Sequence, residues 1–334
     1  MWRTTICLPG PLMNNERPFA ATLPLLVRWS LTAAFLIALA WLLDTDQLVA
    51  ELSRFSLLAV GLALIVSVAQ VVLSAWRWRF TSRCLGLKLH MRAAVREYYL
   101  ATFLNQCLPG GVLGDVNRAW RHGRGSGERR ESLHAVMIER LSGQLAMFSV
   151  AFAAAVWLVA LHPEMAALGS EWRSGSWAAL VAVVVGVLLV MVFGGRLWRQ
   201  VRDYLAALGR DIYRGLLSPR VLPLQIASSF LVVASYLGVF CLLAFSAHDA
   251  SQGGLTATQM LTLLALCSLL LLAMAVPLTV AGWGVREGAA AVLWPLAGLP
   301  AEQGVALSVG YGLTVLLSSL PGSLFVFSRS AGDG

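Results

Sequence analysis

Charge is scarce in this chain. Only 13% of its residues are Asp, Glu, Lys or Arg, against 58% hydrophobic, and mean hydropathy is +0.74. A soluble globular domain carries about 25% charged residues, so that class is excluded. Cysteine is also sparse: Cys7, Cys84, Cys107, Cys241 and Cys267 form no CxxC pair, and three sit in or beside apolar segments. They read as small buried hydrophobes rather than disulfides or metal ligands. The five histidines show neither HxxxH nor HxxH spacing, so no metal site and no cofactor are expected. The first 24 residues lack an apolar run followed by a small-residue cleavage site, which argues against a secretory signal peptide. Met13 is a second candidate start.

Long apolar windows are abundant. Leu25–Leu43 contains only Arg28, and Phe55–Ala75, Ser176–Gly195, Val221–Ala247 and Ala250–Val285 contain no charge. About 18 or more such residues span a bilayer core, so the chain is expected to be an all-α polytopic membrane protein. The net charge of +8 does not imply nucleic-acid binding, because the basic residues cluster between apolar windows. Six of the 25 lie in Arg77–Arg96, five in Arg118–Arg130 and six in Arg196–Arg220, while Arg3, Arg17 and Arg28 precede or open the first window and Arg329 follows the last span. That is the positive-inside pattern of cytoplasmic segments, which can also hold anionic headgroups of the inner leaflet. Trp76 and Trp78 alternate with Arg77 and Arg79, which reads as an aromatic and basic interface anchor.

Two polar interruptions share a spacing. Pro109 is followed five residues later by Gly114 and nine later by Arg118; Pro277 is followed in the same steps by Gly282 and Arg286. Hydrocarbon tolerates broken backbone and ionised side chains only where protein or a water-filled cavity shelters them. Both flanks of the first break are basic, and about 22 residues cannot cross a bilayer twice at 1.5 Å per residue. A re-entrant hairpin satisfies both constraints. The second hairpin, Thr258–Leu299, has ends poor in basic residues, near Asp249 and Glu302, and is expected to enter from the opposite side. The expected architecture is six full spans plus two re-entrant hairpins in an inverted repeat, or eight spans if the hairpins cross. Residues 1–24 would form a cytoplasmic segment, 25–328 one membrane domain with repeats of about 25–160 and 176–327, and 329–334 a cytoplasmic tail. Secondary transporters use such repeats to place a site near the midplane.

The candidate site follows from the breaks. Pro109, Gly110, Gly111 and Gly114 permit tight backbone at the first, and Pro277, Gly282 and Gly284 at the second. Asn105, Asp115, Arg118, Arg286 and Glu287 stand beside them, and Glu139-Arg140 lies roughly 12 Å into a helix opening near Ser132. Charges at that depth face a bundle interior and pair. A helix N-terminus beside Arg118 suits a phosphate, and Asp115 has Arg118, Arg140 or Arg286 as possible partners. All seven polar residues are candidates for binding a substrate, with none assigned to catalysis; cap and salt-bridge roles that only stabilise the hairpins remain open. A competing enzyme expectation rests on Asp44 and Asp46, placed after the first span where membrane glycosyltransferases keep an acidic metal-binding pair.

The run Asn105-Gln106-Cys107-Leu108-Pro109-Gly110-Gly111-Val112-Leu113-Gly114-Asp115-Val116-Asn117-Arg118, then Glu139-Arg140, then Ala281-Gly282-Trp283-Gly284-Val285-Arg286-Glu287 resembles a known family. It is similar to the transmembrane, flippase-like region of lysylphosphatidylglycerol synthases and their stand-alone relatives, over roughly residues 50 to 325. That family carries an N-x-x-L-P-G-x-x-G-G-D-x-x-R-like run, a D-R dipeptide and a G-x-G-x-R-E-like run. Here Leu113 replaces the first glycine of GGD, and Glu139 replaces the acidic member of D-R. Bifunctional members append a soluble aminoacyl-transferase domain; with this chain ending at Gly334, the resemblance implies the membrane half alone. It implies a lipid flippase or transporter of the inner membrane, moving an anionic or lipid-linked amphiphile between leaflets, and the basic flanks place both termini in the cytoplasm. The expected partners are membrane lipids and no nucleic acid; an alternative reading has the Arg clusters recruit a separate lipid-modifying enzyme.

Overall fold

The computed structural model describes residues 29–30, 32–34, 36–38, 41–108, 111–161, 195–247, 256–275 and 279–326. The expected span at Trp177–Gly195, the terminal segments 1–24 and 329–334, and the break residues Pro109, Gly110 and Pro277 lie outside the described residues, Gly195 apart. Residues 29–42 are helical where described. They are followed by α1 (Thr45–Ser53), α2 (Leu57–Cys84), α3 (Met91–Cys107), α4 (Leu113–Ser126), α5 (Arg129–Leu161), α6 (Gly195–Ile212), α7 (Leu222–Ala247), α8 (Ala257–Ala273), α9 (Val285–Leu296) and α10 (Ala301–Ser319). A π turn, Tyr213–Leu217, joins α6 towards α7, and a 3₁₀ turn, Leu320–Phe325, extends α10. No strand occurs among the described residues.

Four of these helices are long and apolar enough to cross a membrane: α2, α5, α7, and α10 with its 3₁₀ extension. The chain is a multi-pass membrane protein. Its spans are apolar on nearly every side, and the side turned away from the bundle carries Leu57 (90% exposed), Ile65 and Phe152, as expected of surface bathed by lipid. Helix α8, at 17 residues, is a shorter apolar helix, and α3 and α4, at 17 and 14 residues, carry several charges each.

Helices in lipid associate by close packing rather than by a hydrophobic drive, so small residues and buried polar groups set the contacts. Helix α10 illustrates this: Gly304 faces the Trp294 ring, Gly310 faces Phe55, and Gly312 faces Arg286 and Trp283. The main core gathers α2, α5, α7, α8, α9 and α10 around Phe240 and Tyr311, whose rings stack 4.1 Å apart. A smaller core packs Ala75 and Trp78 of α2 against Leu87, Leu89, Ala94, Ala119 and Ala135.

Helices α3 and α4 run antiparallel. Asn105 meets Gly114 and Asp115, while Glu97 meets Arg121 eight residues earlier on one helix and six or seven later on the other. The approach needs glycine: a Cβ on Gly114 would stand 2.0 Å from the Ala101 carbonyl oxygen. The second break turns through three positive-φ positions within four residues, Ala281 (φ 50°), Gly282 (φ 79°) and Gly284 (φ 87°). Ala281 is unusual there, since a Cβ disfavours positive φ.

The Trp-Arg anchor is corrected by the structure. Helix α2 continues beyond Ala75 to Cys84, and Trp78 is fully buried while Arg77 is 4% exposed. These residues belong to a polar stripe, Ser67, Gln70, Ser74, Arg77 and Thr81, all buried and spaced by three or four residues on one helical face. The stripe turns towards the protein interior.

Candidate functional site

The stripe on α2 meets the first break and the acidic-basic dipeptide of α5. Helix α5 opens at Arg129, so Glu139 lies ten residues, or about 15 Å, along it, slightly deeper than the sequence indicated. Glu139 is fully buried and accepts from Arg77 through Oε1 and from Arg118 through Oε2, the latter at 2.6 Å. Tyr98 donates its hydroxyl to Glu139 Oε1 at 3.4 Å. Asp115 accepts from Arg118 Nε at 2.9 Å, from Asn105 Nδ2 at 2.9 Å, and from Arg140. Asn105 also accepts the Gly114 backbone N–H at 2.8 Å, which occupies one donor of the α4 N-terminus. Asp115 thus pairs with Arg118 and Arg140 rather than Arg286.

Arg118 is wholly enclosed. Its guanidinium carbon lies 4.7 Å from the Trp78 ring centroid and 4.5 Å from that of Tyr98, adding two cation–π contacts to its two carboxylates. Three guanidiniums, of Arg77, Arg118 and Arg140, face two carboxylates, of Asp115 and Glu139, so the cluster carries one net positive charge.

The second break builds a separate knot. Arg286 donates to Glu287 Oε1 at 2.6 Å and to Ser308 Oγ at 2.6 Å, and Ser308 donates in turn to Glu287 Oε1. Glu287 Oε2 accepts the Gly284 N–H, capping α9. Trp283 and Tyr311 lie 5.2 and 5.3 Å from the Arg286 guanidinium. This pair is neutral as a unit and locked on every side.

A cavity of about 280 Å³ lies between the two breaks. Asn105, Gln106, Gly111 and Val112 line it from the first, and Met274, Thr279, Ala281 and Gly282 from the second. Arg77, Glu139 and Arg140 form its charged wall, with Tyr98, Tyr236 and Gln144 nearby. Arg140 is its most open cation, with 41% of the side chain exposed. Arg77 Nε, Arg140 Nε, Gln144 Oε1 and Thr279 Oγ1 are buried and have no hydrogen-bond partner among the described residues. Buried polar atoms are normally satisfied, so these four leave unmet hydrogen-bonding capacity on residues that line the cavity.

Among the residues singled out from sequence, Asn105, Gly111, Glu139, Arg140 and Gly282 line the cavity. Asp115, Arg118 and Gly114 stand behind its wall on one side, and Arg286, Glu287 and Gly284 behind it on the other. Sequence reasoning missed Arg77, Tyr98 and Thr279. The signal for Arg77 was the three-and-four spacing of polar residues on α2, masked by the tryptophans beside it. Asp44 is the N-cap of α1 and accepts from the Asp46 and Gln47 N–H groups, and both aspartates are exposed.

Comparison with curated proteins finds no match. A family model described as the lysylphosphatidylglycerol synthase TM region matches residues 25–322, a range that contains both breaks, Glu139-Arg140 and the whole cavity, and the chain belongs to that family.

Proposed function

We propose that this protein moves an anionic or lipid-linked amphiphile between the leaflets of a bacterial inner membrane, with the headgroup held in the cavity between the two breaks. Acyl chains remain in lipid, so the site needs room for a headgroup only, and about 280 Å³ suits one. The observation that carries the proposal is the cavity wall: one net positive charge, with an accessible guanidinium at Arg140 and donors on Arg77 and Thr279 that have no partner among the described residues. A single phosphodiester would match that charge and those donors.

In this account Arg140, Arg77, Asn105 and Thr279 touch the headgroup. Asp115, Arg118, Arg286 and Glu287 position the two breaks, and Glu139 fixes Arg77 at the wall. The antiparallel α3–α4 pair and the α8–α9 pair act as re-entrant hairpins of an inverted repeat, meeting from opposite leaflets with both termini cytoplasmic. The protein acts as a transporter rather than as an enzyme. The direct test is reconstitution in vesicles holding a fluorescent phosphatidylglycerol in one leaflet, with a membrane-impermeant quencher outside. Protein-dependent movement of that lipid, faster than of a zwitterionic phosphatidylcholine, is expected; no movement of any lipid by folded protein would overturn the proposal.

A further inference from the structure

A second pocket shares no lining residue with the central cavity. It is a groove of about 490 Å³ between α2, the first half of α3 and the C-terminal 3₁₀ turn. Val72, Val95, Tyr99, Pro321 and Phe325 give it mostly apolar walls. The groove is firmly built: a Cβ on Gly322 would stand 2.2 Å from the Tyr99 carbonyl oxygen, so the 3₁₀ turn sits directly against α3.

One end of the groove is basic. Met91, Arg92 and Arg96 line it there, at the first turns of α3. Arg92 is exposed and has no ion pair among the described residues. Arg96 approaches Glu97 at 3.4 Å, but that carboxylate is held more closely by Arg121, at 2.8 and 3.1 Å. Arg92 and Arg96 together put two cations at this end of the groove. The N-cap of α3, His90, makes no side-chain bond to the first turn, so the backbone N–H groups beside Arg92 have no side-chain cap. The helix terminus adds partial positive charge at the same end.

An apolar channel with a cationic end has the chemistry of a phospholipid: acyl chain, then phosphate. We propose that this groove is a binding site for one anionic membrane phospholipid, its acyl chain between α2, α3 and the 3₁₀ turn and its phosphodiester against Arg92, Arg96 and the α3 N-terminus. The bound lipid would stay with the protein as a lateral cofactor-like component, distinct from any lipid passing through the cavity. Basic pockets between membrane helices hold anionic headgroups in this way.

The test uses the full-length protein in vesicles containing a phosphatidylglycerol with a photoactivatable diazirine in its acyl chain. After irradiation and digestion, label is expected on peptides carrying Val72, Val95 to Tyr99 and Pro321 to Phe325, well above that on lipid-facing Leu57, Ile65 and Phe152. The double variant R92Q/R96Q should lose about tenfold of the groove labelling while labelling elsewhere holds. The matching phosphatidylcholine probe should not favour the groove. Label spread evenly over lipid-facing peptides, equal labelling by phosphatidylcholine, or undiminished labelling of R92Q/R96Q would each overturn the site. The wild-type labelling pattern decides the question even if the variant folds poorly, and no outcome depends on whether the protein transports lipid.

Discussion

Glu139 and Arg118 meet at 2.6 Å with neither side chain exposed to solvent, and through that contact the middle of α5 is tied to the helix that follows the first break. Glu139 also holds Arg77, so one carboxylate joins three elements. Its removal leaves the buried Arg77 guanidinium without a carboxylate among the described residues and Arg118 with Asp115 alone. Breaking a buried pair from one side costs about 3–5 kcal/mol. Glu139→Gln should therefore lower thermal stability in detergent micelles by roughly that amount, read as a fall in Tm. Glu139→Asp, which keeps the charge on a shorter stem, should lose less.

The close approach of α3 and α4 makes a second prediction. Gly114→Ala places a methyl group 2.0 Å from the Ala101 carbonyl, a backbone atom that cannot rotate away. Overpacking of this kind costs about 1–3 kcal/mol. Gly111, at φ 62°, has no atom within 4 Å of an added Cβ, so Gly111→Ala bears only the left-handed penalty of about 1–2 kcal/mol. Urea or thermal unfolding of both variants should rank Gly114→Ala as the less stable.

At the second break, Arg286 satisfies a carboxylate, a hydroxyl and two aromatic faces at once. A lysine ammonium cannot copy the flat fork of donors or its stacking. Arg286→Lys should thus destabilise the protein by about 2 kcal/mol or more despite keeping the charge. A Tm for Arg286→Lys equal to wild type would show that charge alone matters there.

Much of this fold was legible because uncharged windows and helix ends coincide. The window Val221–Ala247 became α7, Leu222–Ala247, and the helix expected to open near Ser132 became α5, which opens at Arg129. The reading failed where charge was taken to mark an end. Helix α2 runs nine residues past Ala75 because Arg77 finds Glu139 and Ser229 inside the bundle, and Arg79 donates to the Leu89 carbonyl. The basic stretch from Arg196 was expected as a cytoplasmic segment with no secondary structure assigned, and residues 195–212 are helical. The candidate site was legible as a set of residues but not as a division of labour. Sequence spacing brought Arg118 and Arg286 forward, and depth along its helix brought Arg140, whereas burial separates two enclosed cations from the one that faces the cavity.

That separation yields the most direct measurement. In the vesicle assay with fluorescent phosphatidylglycerol, Arg140→Gln removes the cavity's open cation while Asp115 keeps Arg118 and Asn105 as partners. A charge-assisted hydrogen bond lost from a binding site costs about 1.5–3 kcal/mol, or roughly ten- to a hundredfold. The account predicts that transport falls by at least about tenfold while Tm stays much closer to wild type than that of Glu139→Gln. Undiminished transport by a folded Arg140→Gln protein would contradict it.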